Sequence, residues 1–540
     1  MKADLIIRGG TIIDGLGGKA YVADLAVTGE RISAIGDLSA VQADVEIDAC
    51  GKYVTPGFID CHTHSDATIW GNPECQSAVR QGVTTEIVGN CGLMRPQLRG
   101  VTLDPAADGI QSIYDLPGPQ YPKGAVAAAL DKAEKMGASM NTAWLCGHNA
   151  LRTMADLYTA EYTPAQFAVM EAFLREAMEA GYIGLSTGLE FVPGNVSKPE
   201  EIQRLASIVA EYDGNYCSHM RDEGTYLLEA VDEFLDVIRK TGLRGSVSHL
   251  NVKYDNGIPN HYLQIAMDKL KQAREEGLQV YTDMLPTCFA SGCAEAILPP
   301  WLYADGWDKA REILADPEGR EKVKADCSRY WRFLADGQWD RLLYIMPPYM
   351  PEIYDRPFME LAKEAGREPF DYFLDVLQAA PSIEALGKVM MQGIAFDEQT
   401  MVDSVVKDPI YLWMTDSYVT VEEGPLAENT ANIQNYMSMT YFFTRYVREL
   451  GAISLEQALP KVSSIPAKHF KLEGRGVLKE GNFADINVFD LENLKVNATF
   501  SKLNRYCSGM DYVIVNGTPV IAGGEHTGAR AGKVLRRGRQ

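Results

Sequence analysis

The sequence predicts an α/β protein: a (β/α)8 TIM barrel joined to a small β-sandwich domain formed from both chain termini, with an inserted helical subdomain. Three observations lead there. Short apolar strands alternate with helical stretches through the middle of the chain. β-rich segments broken by Gly turns occur at both ends. Histidines, a cysteine and an aspartate fall just beyond the strands, where a barrel builds its site.

In chain order, the first 55 residues carry "ADLIIRGGTIID", "DLAVTGERISAIG" and "VEIDACGKYVTPG", whose alternation and turns mark short strands. The same texture returns in "GNFADINVFDL" and "MDYVIVNGTPVIAGG", so residues 1–55 and 476–540 are assigned to one β domain. Residues 56–475 form the barrel. Its strands are "GFIDC" (57–61), "TTEIV" (84–88), "TAWLC" (142–146) and "IGLST" (183–187), then "NYCS" (215–218), "GSVS" (245–248), "LQVYTD" (278–283) and "IYLWMT" (410–415). Between them lie amphipathic stretches such as "PAQFAVMEAFLREAMEAG" and "LLEAVDEFLDVIRKTG". The gap from Asp283 to Ile410 exceeds one helix and its loops, and residues 288–350 read as a helical insertion that forms a lid on the catalytic face.

Composition excludes several classes. The 540 residues are 46% hydrophobic and 23% charged, an ordinary globular balance. A net charge of −22 repels a polynucleotide backbone, which argues against a nucleic-acid partner. No run approaches the ~20 apolar residues of a membrane span, and "MKADLIIRGG" lacks the pattern of a signal peptide. Ten cysteines scattered singly fit a reducing cytoplasm. The expectation is a cytoplasmic enzyme acting on a small molecule, with a homo-oligomer left open.

Only eight histidines are present, so their placement carries weight. His62 and His64 follow strand one, Cys91 follows strand two, His219 strand five, His249 strand six and Asp416 strand eight. Imidazoles, a thiolate and a carboxylate gathered at strand ends suit Zn2+ or a similar ion. A metal there turns water into a nucleophile near neutral pH and polarises a carbonyl. Asp416 is placed to move a proton between water and a leaving nitrogen.

"PGFIDCHTHSD" after a β domain resembles the amidohydrolase superfamily. "GLSTGLEFVPG", "LPPW", Cys91 and the terminal "GEHTGARAGKVLRRG" resemble the N-acyl-D-amino-acid deacylase (D-aminoacylase) family over nearly the whole chain. The resemblance implies that Cys91, His219 and His249 hold a tight zinc. It implies that His62 and His64 hold a weaker second ion, and that Asp416 is the catalytic acid/base on a linear amide. Strand four, "IGLSTGLE", offers no bridging lysine, and Cys91 is the natural substitute.

Around the substrate the chain departs from that family. Asn251 stands where the family usually has a carboxylate-binding lysine, with Lys253 two residues on. "DMLPT" replaces a tyrosine motif after strand seven, and "ENTANIQNY" an arginine motif after strand eight. His148, Arg152, Asn251 and Lys253 are therefore the candidate substrate contacts. Arg221 and Glu223 are candidates to orient His219, and Trp70, Trp301 and Trp413 to line an acyl pocket. A hydantoinase-like opening of a cyclic amide, or deamination of a heterocycle, is the alternative reading of the same scaffold.

Overall fold

The computed structural model describes residues 2–93, 124–191, 193–251, 261–303, 306–327, 331–354, 356–387, 389–424, 426–427, 432–499 and 502–538. Eight parallel strands lie side by side in chain order: β1 (Phe58–Thr63), β2 (Val83–Val88), β3 (Asn141–Gly147), β4 (Gly184–Gly188), β5 (Asn215–His219), β6 (Arg244–Val247), β7 (Val280–Met284) and β8 (Tyr411–Trp413). β1, β2 and β3 are buried at every position, which is why they read as continuous rather than alternating apolar runs. The ring closes just past β8, where the Asp416 N–H donates to the His62 carbonyl (3.1 Å) and the His64 N–H to the Ser417 carbonyl (2.8 Å). That closure places the end of β8 directly beside the two histidines of β1.

The intervening helices form as their sequences dictate. Pro164–Ala180 starts on a Thr163 capping box with Pro at its first position and ends at Gly181 in the left-handed conformation. It turns Phe167, Met170, Phe173, Leu174 and Ala177 onto the barrel. Leu227–Thr241 buries Leu227, Val231, Phe234, Leu235 and Ile238 in the same way.

Nine strands make the second sheet. Tyr53–Pro56 pairs antiparallel with Ile486–Phe489 and so joins the two chain ends. Its own core includes Leu5, Ile7, Leu25, Val27, Val54, Ile486, Val488 and Ile514. The last residues assigned to this domain also reach the barrel. From Gly532 the chain leaves the sheet and runs under the barrel: the Leu535 N–H donates to the Thr142 carbonyl (2.7 Å) and the Arg537 N–H to the Gly181 carbonyl (2.9 Å).

The insertion also differs from expectation. It contains helices, Trp307–Ala315 and Pro317–Asp326 among them, but it also holds a three-stranded antiparallel sheet. The middle strand of that sheet, Met390–Ile394, lies well beyond residue 350 and pairs with Phe289–Cys293 and Leu342–Met346. A pairing across some hundred residues leaves no local pattern to read. Trp339 anchors the insertion against Phe358, Phe370 and Phe373, with ring centroids 5.6, 5.0 and 5.5 Å away. The insertion meets the barrel rim where Arg332 Nη1 donates to Thr225 Oγ1 (2.9 Å) and Asn251 Nδ2 to Met401 Sδ (3.2 Å). Among the described residues, no helix is long and apolar enough to cross a membrane.

Candidate metal centre

The six strand-end residues converge. One group of mutually close donor atoms is His62, His64, Cys91 and Asp416, and a second is Cys91, His219 and His249; the donor atoms of each group lie within 4.8 Å of one another. Cys91 belongs to both. Its Sγ is 3.2 Å from His62 Nε2 and 3.7 Å from His249 Nε2. His219 Nδ1 is 3.1 Å from His249 Nε2, and Asp416 Oδ1 is 3.0 Å from His64 Nε2 and 3.4 Å from His62 Nε2.

The backbone holds three of these residues in a costly conformation. Cys91, His249 and Asp416 have φ of 51°, 36° and 51°, in the left-handed region that non-glycine residues seldom occupy. Such positions cost about 1–3 kcal/mol each and persist only where the surroundings fix them. Here the fixing groups are visible. The His249 N–H donates to Asp283 Oδ1 (2.7 Å), and the Asp416 N–H is held by the His62 carbonyl across the closure. Beside Cys91, Ser186 Oγ accepts from the Gly92 N–H (3.1 Å) and donates to the Gly89 carbonyl (2.5 Å). Gly188 must be glycine for this approach, since a Cβ there would lie 2.1 Å from the Cys91 carbonyl oxygen.

The electrostatics favour a cation. Burial pushes the Cys91 thiol up, but the imidazoles of His62, His219 and His249 outweigh it and hold the group well below an ordinary thiol. Burial lowers His249, yet Glu223 and Cys91 raise it to about 10. Burial lowers His62 too, and Cys91 and Asp283 carry it well above its usual range. Burial raises Asp416, and His64 and His62 pull it far below the usual carboxylate range. A thiolate and several carboxylates thus hold protons on buried imidazoles. A divalent ion supplies the same positive charge while taking the lone pairs of the ligands, so the donor set fits one.

Two carboxylates here escaped the sequence analysis as site residues. Glu190 Oε2 lies 2.9 Å from His219 Nε2, and Asp283 Oδ2 lies 3.4 Å from His62 Nδ1. Both sit at the ends of strands β4 and β7, so the strand-end rule that selected the histidines would have found them had it been applied to acids. Glu223, expected to orient His219, is 3.8 Å from that ring and 2.6 Å from His249 Nδ1. Arg221 instead pairs with Glu233 (2.8 Å).

The expected substrate contacts are placed differently. His148 and Arg152 are fully buried, and both face Glu201: His148 Nε2 at 2.7 Å and Arg152 Nη1 at 2.6 Å from its carboxylate oxygens. The charge of Arg152 is matched by Glu201 inside the protein, and burial lowers His148, which the same carboxylate holds. Asn251 is buried with its amide on Met401 Sδ. Lys253 lies outside the described residues, as do residues 428–431 of "ENTANIQNY". Trp413 stacks on Phe442 (4.4 Å) in the core and Trp301 donates to Asp326 on the surface, so neither lines the centre. Trp70 donates to the Asp66 carbonyl and packs near Trp144.

The Amidohydro_3 amidohydrolase family matches residues 45–286 and 428–521. The chain belongs to the amidohydrolase family. This amidohydrolase is 30% identical to an N-acyl-D-glutamate deacylase of Alcaligenes xylosoxydans xylosoxydans over 99% of its own length and 97% of the relative's. It is equally 30% identical to a D-aminoacylase of the same organism, with 99% and 98% covered. Among solved structures, an N-acyl-D-glutamate deacylase from Bordetella bronchiseptica, complexed with zinc and a phosphonate inhibitor, superposes with a TM-score of 0.77. It is 29% identical, and the match covers 99% of this chain and all of the other.

Proposed function

We propose that this amidohydrolase cleaves the linear amide of an N-acyl-D-amino acid or a related N-acyl amide. Cys91, His219 and His249 would hold one tight zinc, and His62, His64 and Asp416 a weaker second ion that shares Cys91. When bound, zinc activates water and polarises the scissile carbonyl. Asp416 serves as the acid/base.

One observation carries the role of Asp416. Among the described residues four carboxylates surround the centre, and the side chains of Asp283, Glu190 and Glu223 are 4%, 3% and 2% exposed, whereas Asp416 is 21% exposed. Asp416 is therefore the acid that water and substrate reach. Its ionised Oδ1 is ready to take a proton from the attacking water and to return it to the leaving nitrogen. Burial of the other donors excludes bulk water and strengthens each charge interaction.

The amine side of the substrate is the less familiar part. Where the resembled family has a lysine, Asn251 is buried against Met401; where it has a tyrosine motif, Met284 and Leu285 are buried and apolar. Arg152 is neutralised by Glu201. This favours a substrate held on that side by apolar contact and neutral hydrogen bonds rather than by a Lys–Tyr pair. The cyclic-amide alternative has no observation in its favour, since strand four lacks a lysine and a thiolate occupies the shared position.

The test is a panel of N-acetyl and longer N-acyl D- and L-amino acids beside matched amides without the carboxylate. Release of a carboxylic acid from a linear amide by wild type, abolished in Asp416→Asn, is the expected result. Turnover of cyclic amides or release of ammonia alone would refute the reading.

A further inference from the structure

We infer that Glu190, Glu223 and Asp283 are positioning residues that fix which ring nitrogen of His219, His249 and His62 faces Cys91. This inference rests on the proposed metal centre. Each of the three rings has one nitrogen beside one of these three carboxylates and the other toward the centre, where His62 Nε2 also lies 3.4 Å from Asp416 Oδ1. His219 turns Nε2 to Glu190 (2.9 Å) and Nδ1 inward. His249 turns Nδ1 to Glu223 (2.6 Å) and Nε2 to Cys91. His62 turns Nδ1 to Asp283 (3.4 Å) and Nε2 to Cys91.

An ionised carboxylate only accepts, so the nitrogen facing it carries the hydrogen and the opposite nitrogen keeps its lone pair for a cation. The assignment is clearest for the two rings of the tight site, where His219 binds through Nδ1 and His249 through Nε2. A ring flip or the wrong tautomer at any of them would aim an N–H at the ion.

The three acids form one assembly. The Glu223 N–H donates to Glu190 Oε1 (3.0 Å), and Asp283 Oδ1 accepts the His249 N–H (2.7 Å). Glu223 also lies 3.8 Å from the His219 ring. Buried as they are, these carboxylates are tolerated because a positive centre sits one imidazole away. His64 differs: its Nε2 meets Asp416, while its buried Nδ1 has no hydrogen-bond partner among the described residues. Both histidines of the Cys91–His219–His249 group are thus braced, and only one of the two on the other side is.

The experiment measures zinc affinity by competition with a chromogenic chelator and the visible spectrum of the cobalt-substituted protein. Glu190→Leu and Glu223→Leu are expected to weaken the tight ion about 10- to 100-fold and to change the cobalt band. Glu190→Gln and Glu223→Gln keep an oxygen acceptor of the same reach for the ring N–H and are expected to bind zinc more tightly than the Leu variants, with an unchanged band, although in Glu190→Gln an NH2 group replaces the oxygen that accepts the Glu223 N–H. Leu variants with wild-type affinity and spectrum would overturn the inference. So would Gln variants as impaired as Leu variants, because charge rather than ring orientation would then be at work. If the Leu proteins do not fold, the Gln pair still decides. Wild type that takes up no divalent ion overturns the metal centre itself, a separate result from any of these.

Discussion

The two ends of the barrel treat buried charge in opposite ways. At the closed end a buried arginine finds its counterpart in the chain. Arg475 and Asp485 are 1% and 4% exposed and paired, Arg475 Nη2 also donates to Asn516 Oδ1 (2.9 Å), and the Asn516 N–H donates to Asp485 Oδ1 (2.8 Å). His469 Nε2 meets Ser246 Oγ at 2.8 Å. At the open end, a thiolate and four carboxylates gather round four imidazoles, and three of these residues sit in left-handed backbone. At the closed end the buried charge is paired within the chain. The open end is built for a cation the chain does not supply, and function is sought where the balance is left open.

Substitutions at either end sharpen that contrast. Asp416→Asn keeps the shape of the side chain but removes the proton acceptor. The expected loss in kcat is about 10²- to 10⁴-fold, with the tight ion retained and the fold intact by circular dichroism. Arg475→Met leaves Asp485 buried without its partner and is expected to cost about 3–5 kcal/mol in denaturant unfolding. Its kcat should stay at the wild-type value, and a large fall in kcat would break the division between the ends.

Asn251→Lys probes the substrate side. It restores the cation that the resembled family carries and is expected to lower KM for an N-acyl-D-amino acid about tenfold, the worth of one charge-assisted hydrogen bond. No change in KM would mean that the carboxylate is already held elsewhere. The smallest effect concerns pH. Burial raises Asp66, which accepts the Gly89 N–H, from 3.8 to about 8. The folded chain keeps this proton where the unfolded chain has lost it, so stability falls as pH rises between about 4 and 8. Asp66→Asn keeps an acceptor for Gly89 without the ionisation. Its melting temperature should fall less over that interval than that of wild type.

Much of the centre was legible because a barrel forces its chemistry to the strand ends. His62, His64, Cys91, His219, His249 and Asp416 could be found by asking which residues follow an apolar strand. Glu190 and Asp283 obey the same rule and were passed over because acids are common and carry no spacing signature. Arg152 and His148 were read without their partner for a different reason: Glu201, which pairs with Arg152 and holds His148, lies 49 and 53 residues away on another helix. The insertion's sheet was hidden because Phe289–Cys293 pairs with Met390–Ile394, and the final segment because its partners are barrel carbonyls and amides rather than another strand of its own domain. Local pattern marks which residues are special. Only the fold tells which of them already have partners.

The most direct test of the open end as a metal-dependent amide hydrolase follows acid release from an N-acyl-D-amino acid and its carboxylate-free analogue in three preparations: zinc-loaded, chelator-stripped and zinc-restored. Activity that vanishes on stripping and returns with zinc is the predicted result. Stripped protein that hydrolyses the amide as fast as the loaded form would contradict the account.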